Sequence, residues 1–398
     1  MAVLRGPDHA GPAIEKFEQA LERLHPGYRA LAMPMARVGI YLALKNVIRP
    51  GQRVIMSPYT ISEVVNMVLC AGGVPEFVDV EEGTCNIDAA KVVERLSSIF
   101  DVGAVLVTHF YGLICDIAPI AEACSAHGIP LIEDAAQAFG AKLAGKRAGA
   151  LADVGIFSFG LLKHVTGFFG GAVLTKDRKL DAKIRADLDQ FGDLSREMLL
   201  KKMVSGAMFD VATTPTVFDT SIYWLFRYAY LHNVSFFNNK LETDTNPVSY
   251  STFPYKYAVH MSSAQADIIR PQFDCYEEAI KVRIENAHIY REGLSDIPNI
   301  TLPPSRSDGS HNYIYYAIQS ENRDNLAKSM TREVRDVQIS HHRNCAALPC
   351  FADYARDCPN AERTARSVIY LPCYAGYRED QIRANVEAIR AFHRGSNL

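Results

Sequence analysis

Short apolar segments alternate with helical patterns through the first half of the chain, and this alternation restricts the fold more than any other feature. The predicted strands lie at 53–57, 75–80, 104–108, 130–133, 154–159 and 171–175. The predicted helices between them lie at 61–70, 87–96 and 117–127. Strands that alternate with helices in this way favour an α/β fold, whose mostly parallel sheet is buried between layers of helices.

The second half of the chain has a different organisation. An aromatic-rich segment, about 187–257, interrupts the alternation. The elements predicted after it are a helix over 262–290, strands at 312–319 and 337–340, and helices at 322–335 and 379–393. We therefore predict a large domain over 1–255, which carries the aromatic-rich segment as a helical insertion, and a small α+β domain over 256–398.

The aromatic-rich segment is open to two interpretations. Its aromatic side chains are Phe209, Phe218, Tyr223, Trp224, Phe226, Tyr228, Tyr230, Phe236 and Phe237. Asp219 and Arg227 interrupt the apolar run, so it is not the unbroken span that a bilayer requires. We favour an insertion that packs on the body of the protein or on a second subunit. The alternative is a lipid-facing surface or a lid over an apolar substrate.

Composition argues against several classes of function. The 398-residue chain has 42 Lys and Arg residues against 45 Asp and Glu residues, so nonspecific nucleic-acid binding is not indicated. The first fifteen residues lack the pattern of a signal peptide, and the scattered cysteines form no Cys-x-x-Cys pair. We therefore expect mostly buried thiols in a reducing cytoplasm, and no metal site.

Four polar side chains fall at or near the ends of successive predicted strands. Asp134 follows the strand at 130–133, and Gln137 comes three residues later. Ser158 and Lys163 belong to the next strand and to the loop that follows it. Ligands bind at the carboxyl edge of open α/β sheets, so we expect this acid, amide, hydroxyl and amine to meet there.

An amine and an acid at one edge suit a specific chemistry. A lysine in a dry site loses its proton readily and can form a Schiff base with an aldehyde cofactor. A buried carboxylate can keep a pyridinium nitrogen protonated, which makes the ring an electron sink. Pyridoxal phosphate needs both groups, and it also needs hydrogen-bond donors for its phosphate.

The same residues belong to a motif that resembles a known family. The run Glu-Asp-Ala-Ala-Gln-Ala-Phe-Gly-Ala at 133–141 precedes a Ser-Phe pair at 158–159, then Lys163 and the Gly170-Gly171 pair. This arrangement resembles the DegT/DnrJ/EryC1/StrS family of sugar aminotransferases that depend on pyridoxal phosphate. The resemblance implies the aspartate aminotransferase fold (fold type I), with a mostly parallel seven-stranded sheet in the large domain and a smaller C-terminal α+β domain.

The resemblance also implies roles for individual residues. Lys163 would form the Schiff base with the cofactor, and Asp134 would pair with its pyridine nitrogen. Gln137 would contact the ring hydroxyl oxygen. Ser158 would donate a hydrogen bond to the phosphate.

The sequence departs from the family pattern at two places. Met35, Ala36 and Arg37 stand where the family has Ser-Gly-Thr at a helix N-terminus. The backbone amides would still bind a phosphate, and the Arg37 side chain would add a charge-assisted contact unless it is a solvated surface residue. Ile61 aligns with the aromatic residue that stacks on the cofactor, and Tyr59 is close to it.

Several other positions bear on the site. Ala258 stands where the family has an asparagine that reaches the phosphate in a neighbouring subunit. His341 and His342 fall in the strand that faces the substrate in the family, so one of them would meet a substrate phosphate or hydroxyl; alternatively, both are ordinary turn residues. No third residue at metal-ligand spacing accompanies them. His164 is expected to pack or cap locally.

These features predict a cytoplasmic, homodimeric aminotransferase that uses pyridoxal phosphate. By resemblance, the amino donor is glutamate and the acceptor is a keto group on a nucleotide-linked sugar, in polysaccharide or secondary-metabolite synthesis. One alternative is a dehydratase, or an aminotransferase for a non-sugar or lipid-linked ketone, which the aromatic segment favours. Another is a non-catalytic regulatory protein, which the altered phosphate loop favours. We expect no nucleic-acid partner and no membrane contact.

Overall fold

The structure, a computed structural model, describes residues 11–232 and 246–395 and is built around a seven-stranded sheet. The strands of this sheet are β1 (Arg29–Met33), β2 (Arg53–Met56), β4 (Val74–Phe77), β5 (Val102–Thr108), β6 (Leu131–Asp134), β9 (Val154–Ser158) and β10 (Gly171–Thr175). Three short strands of the N-terminal half lie outside it: β3 (Tyr59–Thr60), β7 (Lys142–Leu143) and β8 (Lys146–Arg147). The spatial order is β1-β10-β9-β6-β5-β2-β4, and only the two pairs that involve β10 are antiparallel.

The predicted strands of the first half are confirmed, with small differences at their ends. The edge strand β1 is absent from the prediction, because its sequence Arg-Ala-Leu-Ala-Met consists of residues that favour helices. Its pairing with β10, from Arg29 opposite Thr175 to Met33 opposite Gly171, overrides that local preference.

Six helices cover this sheet. They are α1 (Pro12–Leu24), α2 (Ala36–Val47), α3 (Ser62–Cys70), α4 (Ala89–Ser98), α5 (Ile117–His127) and α6 (Arg178–Leu188). The three predicted helices correspond to α3, α4 and α5. Asp88 caps α4 by accepting a hydrogen bond from the Lys91 amide at 3.1 Å. Helix α5 ends at Gly128, whose φ of 63° is left-handed and therefore suits glycine.

The core of this part lies on both faces of the sheet. Val54 and Met56 of β2 belong to one buried apolar cluster, whereas Ile55 between them belongs to another. Successive side chains of a strand point to opposite faces, so this division shows a sheet buried on both sides. The arrangement confirms the predicted α/β class with a mostly parallel sheet.

The aromatic-rich segment is mostly helical between residues 196 and 231. Its helices are α7 (Arg196–Ala212), α8 (Pro215–Val217) and α9 (Tyr223–Leu231). Helix α9 packs on the body, because the Tyr223 hydroxyl donates to the Thr331 carbonyl at 3.3 Å. Helix α7 leaves the apolar side chains of Leu200 and Val204 about half exposed. Phe236 and Phe237 lie outside the described residues, and no described helix is long and apolar enough to cross a membrane.

The C-terminal part combines helices with strands, as predicted, and four of its strands form a sheet. Its helices are α10 (Ser263–Ile269), α11 (Tyr276–Leu294), α12 (Arg323–Arg332), α13 (Pro359–Ser367) and α14 (Glu379–Gly395). Its strands are β11 (Ile300–Thr301), β12 (Tyr316–Ser320), β13 (Gln338–Ile339), β14 (Arg343–Asn344) and β15 (Val368–Leu371). The sheet order is β11-β12-β15-β13, and β14 pairs instead with β3 of the N-terminal part. The domain boundary at 255/256 stays a prediction.

The continuous helix predicted over 262–290 is wrong in one respect. A 3-10 turn over Arg270–Asp274 separates α10 from α11. The turn contains Pro271, which has no backbone N–H to continue the α-helical hydrogen bonds.

The strand predicted over 312–319 begins only at Tyr316. The backbone before it bonds elsewhere: the Asn312 amide donates to the Gly112 carbonyl at 3.0 Å, and the Arg283 guanidinium donates to the Ile314 carbonyl at 2.9 Å. These contacts leave no ladder partner for this part of the chain, so the strand is shorter than its apolar pattern indicates.

Candidate active site

One edge of the large sheet collects the carboxyl ends of four strands and the start of a fifth. Asp134 is the last residue of β6, and its register partner is Thr108 at the end of β5. Ser158 is the last residue of β9 and lies opposite Gly171, which opens β10. Met33 at the end of β1 also lies opposite Gly171, and α2 begins three residues later. The predicted carboxyl-edge site and the N-terminus of α2 therefore meet at the same edge.

Asp134 is buried at this edge, with 5% of its surface exposed. Its Oδ1 atom accepts a hydrogen bond from the Ala136 amide at 3.0 Å, and the Thr108 hydroxyl also bonds to the carboxyl group. Burial raises the pKa of Asp134 from its ordinary value, while these hydrogen bonds and the charge of Lys163 lower it. The carboxylate is thus desolvated, held in one orientation and electrostatically coupled to Lys163.

Lys163 lies in the loop that joins β9 to β10. This loop has a non-glycine residue in a left-handed conformation next to the lysine, Leu162 with φ 62°. Gln272 holds the loop through both backbone groups of one residue, because its Oε1 accepts from the Thr166 amide at 3.1 Å and its Nε2 donates to the Thr166 carbonyl at 2.7 Å. A loop with such constraints holds its side chains in a defined place.

The pKa of the Lys163 amine lies close to neutral pH. Burial lowers the pKa of Lys163 to about 8, and the nearby Asp134 carboxylate opposes that shift. A partly deprotonated amine is the form that attacks an aldehyde or moves a proton at a reacting carbon. The structure therefore places the predicted amine close enough to the predicted acid for their charges to interact, and burial favours the neutral form of the amine.

The start of α2 forms the other end of the candidate site. The residue before the helix, Met35, is extended and makes no side-chain cap, so the first amides, those of Ala36 and Arg37, have no acceptor within the helix. A Cβ atom added to Gly171 would lie 2.6 Å from the Ala36 nitrogen, so glycine allows the helix start to approach β10. Amides at a helix N-terminus suit a phosphate.

The side chains at this end have partners inside the protein. The Arg37 guanidinium lies 3.1 Å from the Glu63 carboxylate, and it donates to the Tyr257 hydroxyl at 3.2 Å. The Ser158 hydroxyl oxygen accepts a long hydrogen bond from the Gly160 amide at 3.4 Å. The phosphate contacts assigned to Arg37 and Ser158 stay predictions.

Gln137 is held beside the Asp134 turn and is 8% exposed. Its Oε1 accepts a hydrogen bond from the Tyr111 amide at 3.0 Å, and its Nε2 lies 3.4 Å from Nε2 of His342. Tyr111 has φ 57°, so the backbone turns sharply where it meets the glutamine. Gln137 and His342, two predicted site residues separated by 205 positions, are therefore neighbours.

A buried polar cluster lies next to Gln137. The hydroxyl groups of Tyr59 and Tyr111 are 2.5 Å apart, and both lie within 3.2 Å of the Ser340 hydroxyl. The Tyr370 hydroxyl donates to Ser340 at 2.8 Å, and His342 Nδ1 lies 3.1 Å from the Tyr370 oxygen. Burial raises the pKa of Tyr59 and Tyr111 well above the usual range. The cluster joins residues of the N-terminal and C-terminal parts.

Three members of this cluster, Tyr111, Ser340 and Tyr370, were missed by the sequence-based prediction. The His-Phe-Tyr-Gly stretch at 109–112 directly follows the predicted strand at 104–108, and this position could have marked Tyr111 as a site residue. Ser340 and Tyr370 carry no local signal, because a single polar residue in a short strand is common. Only the fold brings them to the site.

The remaining predicted residues lie around these groups. Ile61 is the N-terminal cap residue of α3 and is partly buried against the core. The rings of His341 and His342 stack with centroids 4.5 Å apart. His164 Nε2 lies 3.4 Å from the Asn312 carbonyl, and burial lowers its pKa to about 3, so it is a neutral donor. The Ala258 carbonyl accepts from the Gly192 amide at 3.1 Å.

The functional groups at this edge of the sheet match the needs of pyridoxal phosphate. The amine of Lys163 suits the aldehyde, the Asp134 carboxylate suits the pyridine nitrogen, and the Gln137 amide suits the ring hydroxyl. The amides of Ala36 and Arg37 suit the phosphate. Among the residues that the structure describes, no group of three His, Cys, Asp or Glu side chains is arranged to hold a metal ion.

Comparison with known proteins gives consistent matches. Residues 4–211 and 229–390 match the DegT/DnrJ/EryC1/StrS aminotransferase family. The chain is 26% identical to the spore coat polysaccharide biosynthesis protein SpsC of Bacillus subtilis, over 97% of this chain and 91% of that one. It is 37% identical to GDP-perosamine synthase of Caulobacter vibrioides, over 44% of this chain and 47% of that one.

The fold has a clear counterpart among solved structures. A DegT DnrJ EryC1 StrS aminotransferase from Brucella abortus superposes with a TM-score of 0.77 at 20% identity, covering 98% of this chain and 93% of that one. This similarity confirms the predicted fold type I. The family match extends over well more than half of the chain and includes both the large sheet and the C-terminal part. The chain therefore belongs to the DegT/DnrJ/EryC1/StrS aminotransferase family.

Proposed function

We propose that this protein uses pyridoxal phosphate to transfer an amino group from glutamate to a keto group on a nucleotide-linked sugar. One observation carries the proposal: Lys163 and Asp134 are coupled at the carboxyl edge of the sheet, where burial lowers the pKa of the lysine to about 8. An amine that is partly neutral beside a buried carboxylate is what this cofactor requires.

The residues have distinct tasks in this chemistry. When bound, the cofactor supplies an aldehyde and an electron-withdrawing ring. Lys163 would hold the aldehyde covalently, with loss of water, and would serve as general base and acid at the reacting carbon. Asp134 would pair with the ring nitrogen and favour its protonated form. The amides of Ala36 and Arg37, with the Ser158 hydroxyl, would bind the phosphate, and Gln137 would orient the ring oxygen.

The acceptor is proposed from the relatives. GDP-perosamine synthase is named for a sugar product attached to GDP, and SpsC is named for polysaccharide biosynthesis. Both names support a nucleotide-linked keto sugar as substrate and a role in polysaccharide or secondary-metabolite synthesis. Glutamate as donor rests on the resemblance to the family.

We also propose that the protein acts as a homodimer in the cytoplasm. The family resemblance supports the dimer, because sites in the family lie between subunits. The exposed apolar side chains of α7, such as Leu200 and Val204, support a further contact surface. Sedimentation of the purified protein tests the homodimer, and a monomer at micromolar concentration would contradict it.

The absorption spectrum of purified protein tests the cofactor and the donor. We expect added pyridoxal phosphate to give a visible band and glutamate to bleach that band. No band would contradict the cofactor assignment and favour a non-catalytic family member. A band that glutamate leaves unchanged would contradict the donor assignment and favour the dehydratase alternative.

A second acceptor class is supported by one observation. A cavity of about 210 Å³ adjoins the start of α2. Its lining is mostly apolar and consists of Pro34, Met35, Phe169, Leu194, Met198, Lys256, Tyr257 and Val259. Such walls suit a ketone that carries an apolar chain. Amination assays with nucleotide-linked keto sugars and with hydrophobic ketones distinguish the two classes, and faster turnover of the hydrophobic ketones would replace the sugar proposal.

A further inference from the structure

We propose that His342 positions Gln137 by means of a fixed imidazole tautomer, and that it does not itself meet the substrate. The inference rests on the proposed function, because Gln137 is the residue expected to contact the ring oxygen of the cofactor. The geometry behind it is the approach of His342 Nε2 to Gln137 Nε2, at 3.4 Å, in the buried polar cluster.

The orientation of the Gln137 side chain follows from its backbone partner. The Tyr111 amide can only donate a hydrogen bond, so the atom it meets at 3.0 Å must be the oxygen of the glutamine side chain. The NH2 group of Gln137 therefore faces His342. An exchanged assignment of oxygen and nitrogen would place two donors against each other at Tyr111, so the backbone fixes the amide.

The tautomer of His342 follows from the orientation of Gln137. Because the glutamine NH2 group donates, His342 Nε2 must accept, and the ring proton is carried by Nδ1. Nδ1 lies 3.1 Å from the Tyr370 oxygen and 3.2 Å from the Ser340 oxygen, so its proton has an acceptor. A doubly protonated ring would bring N–H against N–H at Gln137, which the close packing does not accommodate.

The surroundings of the ring favour the same neutral state. Burial, His341 and the positive charge of Lys163 all lower the pKa of His342 well below its usual value. The ring packs against the aromatic rings of Tyr59, Phe110 and Tyr111, at centroid distances of 5.2–5.9 Å. No carboxylate contact to His342 is found within the described residues.

The chain of contacts has a consequence for the cofactor. One N–H of Gln137 is used by His342, and the other remains for the ring oxygen. Because both ring nitrogens of His342 are engaged inside the protein, the adjacent His341 is the better candidate for the predicted substrate contact. His342 is thus a positioning residue that acts through Gln137; it belongs to the C-terminal part, while Gln137 lies in the turn that follows β6 of the large sheet.

The first test needs no cofactor. In full-length apoprotein with 15N-labelled histidine, the NMR signals of His342 should show a proton on Nδ1. The signals should also not titrate between about pH 5 and 8, the range in which an ordinary histidine changes charge. Assignment is made by comparison with His342→Gln. A proton on Nε2, or titration in that range, would overturn the inference whatever the protein binds.

The second test uses protein loaded with pyridoxal phosphate. Loss of a positioned donor makes the ring oxygen more basic, so His342→Phe should move the pH midpoint of the visible band upward by about half to one unit, the effect of one ordinary hydrogen bond. His342→Gln keeps an acceptor near Gln137 and should restore the midpoint. The control variant His127→Phe, at an exposed histidine of α5, should leave the midpoint unchanged.

The outcomes separate the inference from the proposed function. If wild type shows the band but His342→Phe leaves its midpoint in place, the inference fails and the proposed function stands. If His342→Phe instead raises the KM of the keto substrate many-fold at an unchanged midpoint, His342 is a substrate contact. If wild type takes up no cofactor, the proposed function fails. Should His342→Phe not fold, the apoprotein NMR result and the His342→Gln midpoint decide.

Discussion

The two ends of the candidate site are made from different parts of the chain. At the ring end, the groups are side chains: Asp134 and Gln137 are each less than one tenth exposed and have hydrogen-bond partners of fixed direction. At the proposed phosphate end, the groups are mainly backbone amides, those of Ala36 and Arg37, joined by the Ser158 hydroxyl. Gly171 contributes there only by having no side chain.

Because of this difference, we expect the two ends of the site to tolerate different sequence changes. A backbone amide is present whatever the residue, so Met-Ala-Arg can stand where the family has Ser-Gly-Thr while α2 still starts at the same edge. A carboxylate or an amine exists only in a particular residue. We therefore expect the ring end to depend on residue type, and the phosphate end to depend on how closely a helix approaches a strand.

The largest effect is expected at the amine. Lys163→Ala should reduce turnover by about 10⁴-fold or more, because the variant loses both the covalent attachment and the general base. The measurement is single-turnover amination followed by absorption. Lys146→Ala, which removes an exposed lysine in β8, is the matched control and should be unaffected. Normal turnover of Lys163→Ala would remove the basis of the proposed function.

The next largest effect is expected at the carboxylate. Asp134→Asn should lower turnover about 10²- to 10³-fold, because a preorganised charge opposite the ring is lost.

The neutral amine of Lys163 is the reactive form, so the rate of cofactor uptake by the wild-type apoprotein should rise with pH up to about 8 and then level off.

The pH profile sharpens this prediction. The Asp134 carboxylate raises the pKa of Lys163, so Asp134→Asn should move the midpoint of the uptake profile below pH 8. Asp134→Glu keeps the charge and should return the midpoint towards the wild-type value. An upward shift in Asp134→Asn would contradict the coupling of the two groups.

The distinction between side-chain identity and the approach of one element to another also decides what could be predicted from the sequence. Asp134, Gln137 and Lys163 were found because their side chains stand at strand ends, and the alternation of strands and helices was enough to predict the sheet. Two structural details depend on tertiary contacts: β1 exists through its pairing with β10, and the strand predicted from 312 starts late because Arg283 and Gly112 bind the backbone before it.

The contacts around the site could not be predicted for the same reason. Tyr59 and Ser340 share a hydrogen bond across 281 positions, and nothing near either residue indicates the other. The pairing of Arg37 with Glu63 likewise needs the approach of α3 to the start of α2. Local patterns give the chemistry of a side chain, whereas its partner is decided by the fold.

The role of the backbone at the phosphate end is tested by adding one carbon atom at Gly171. In Gly171→Ala the new Cβ would lie 2.6 Å from the Ala36 nitrogen and 2.8 Å from the Phe157 carbonyl oxygen, so the helix start must move away from β10. Overpacking of this kind typically costs about 1–3 kcal/mol, so we expect about tenfold or greater loss of cofactor affinity, measured by absorption titration. Gly192→Ala, whose Cβ would meet nothing closer than 4.0 Å, is the control.

The smallest effect is expected at Arg37, although its positive charge suits a phosphate. Arg37 is paired with Glu63 and Tyr257, so its charge is already partly satisfied inside the protein. Arg37→Ala should therefore change cofactor affinity by less than about threefold, the range of a partly exposed ion pair. The contrast between the two ends of the site is tested by which variant, Arg37→Ala or Gly171→Ala, loses more cofactor affinity. If Arg37→Ala weakens binding more than Gly171→Ala, the phosphate is held mainly by a side chain, and the proposed contrast between the two ends of the site is wrong.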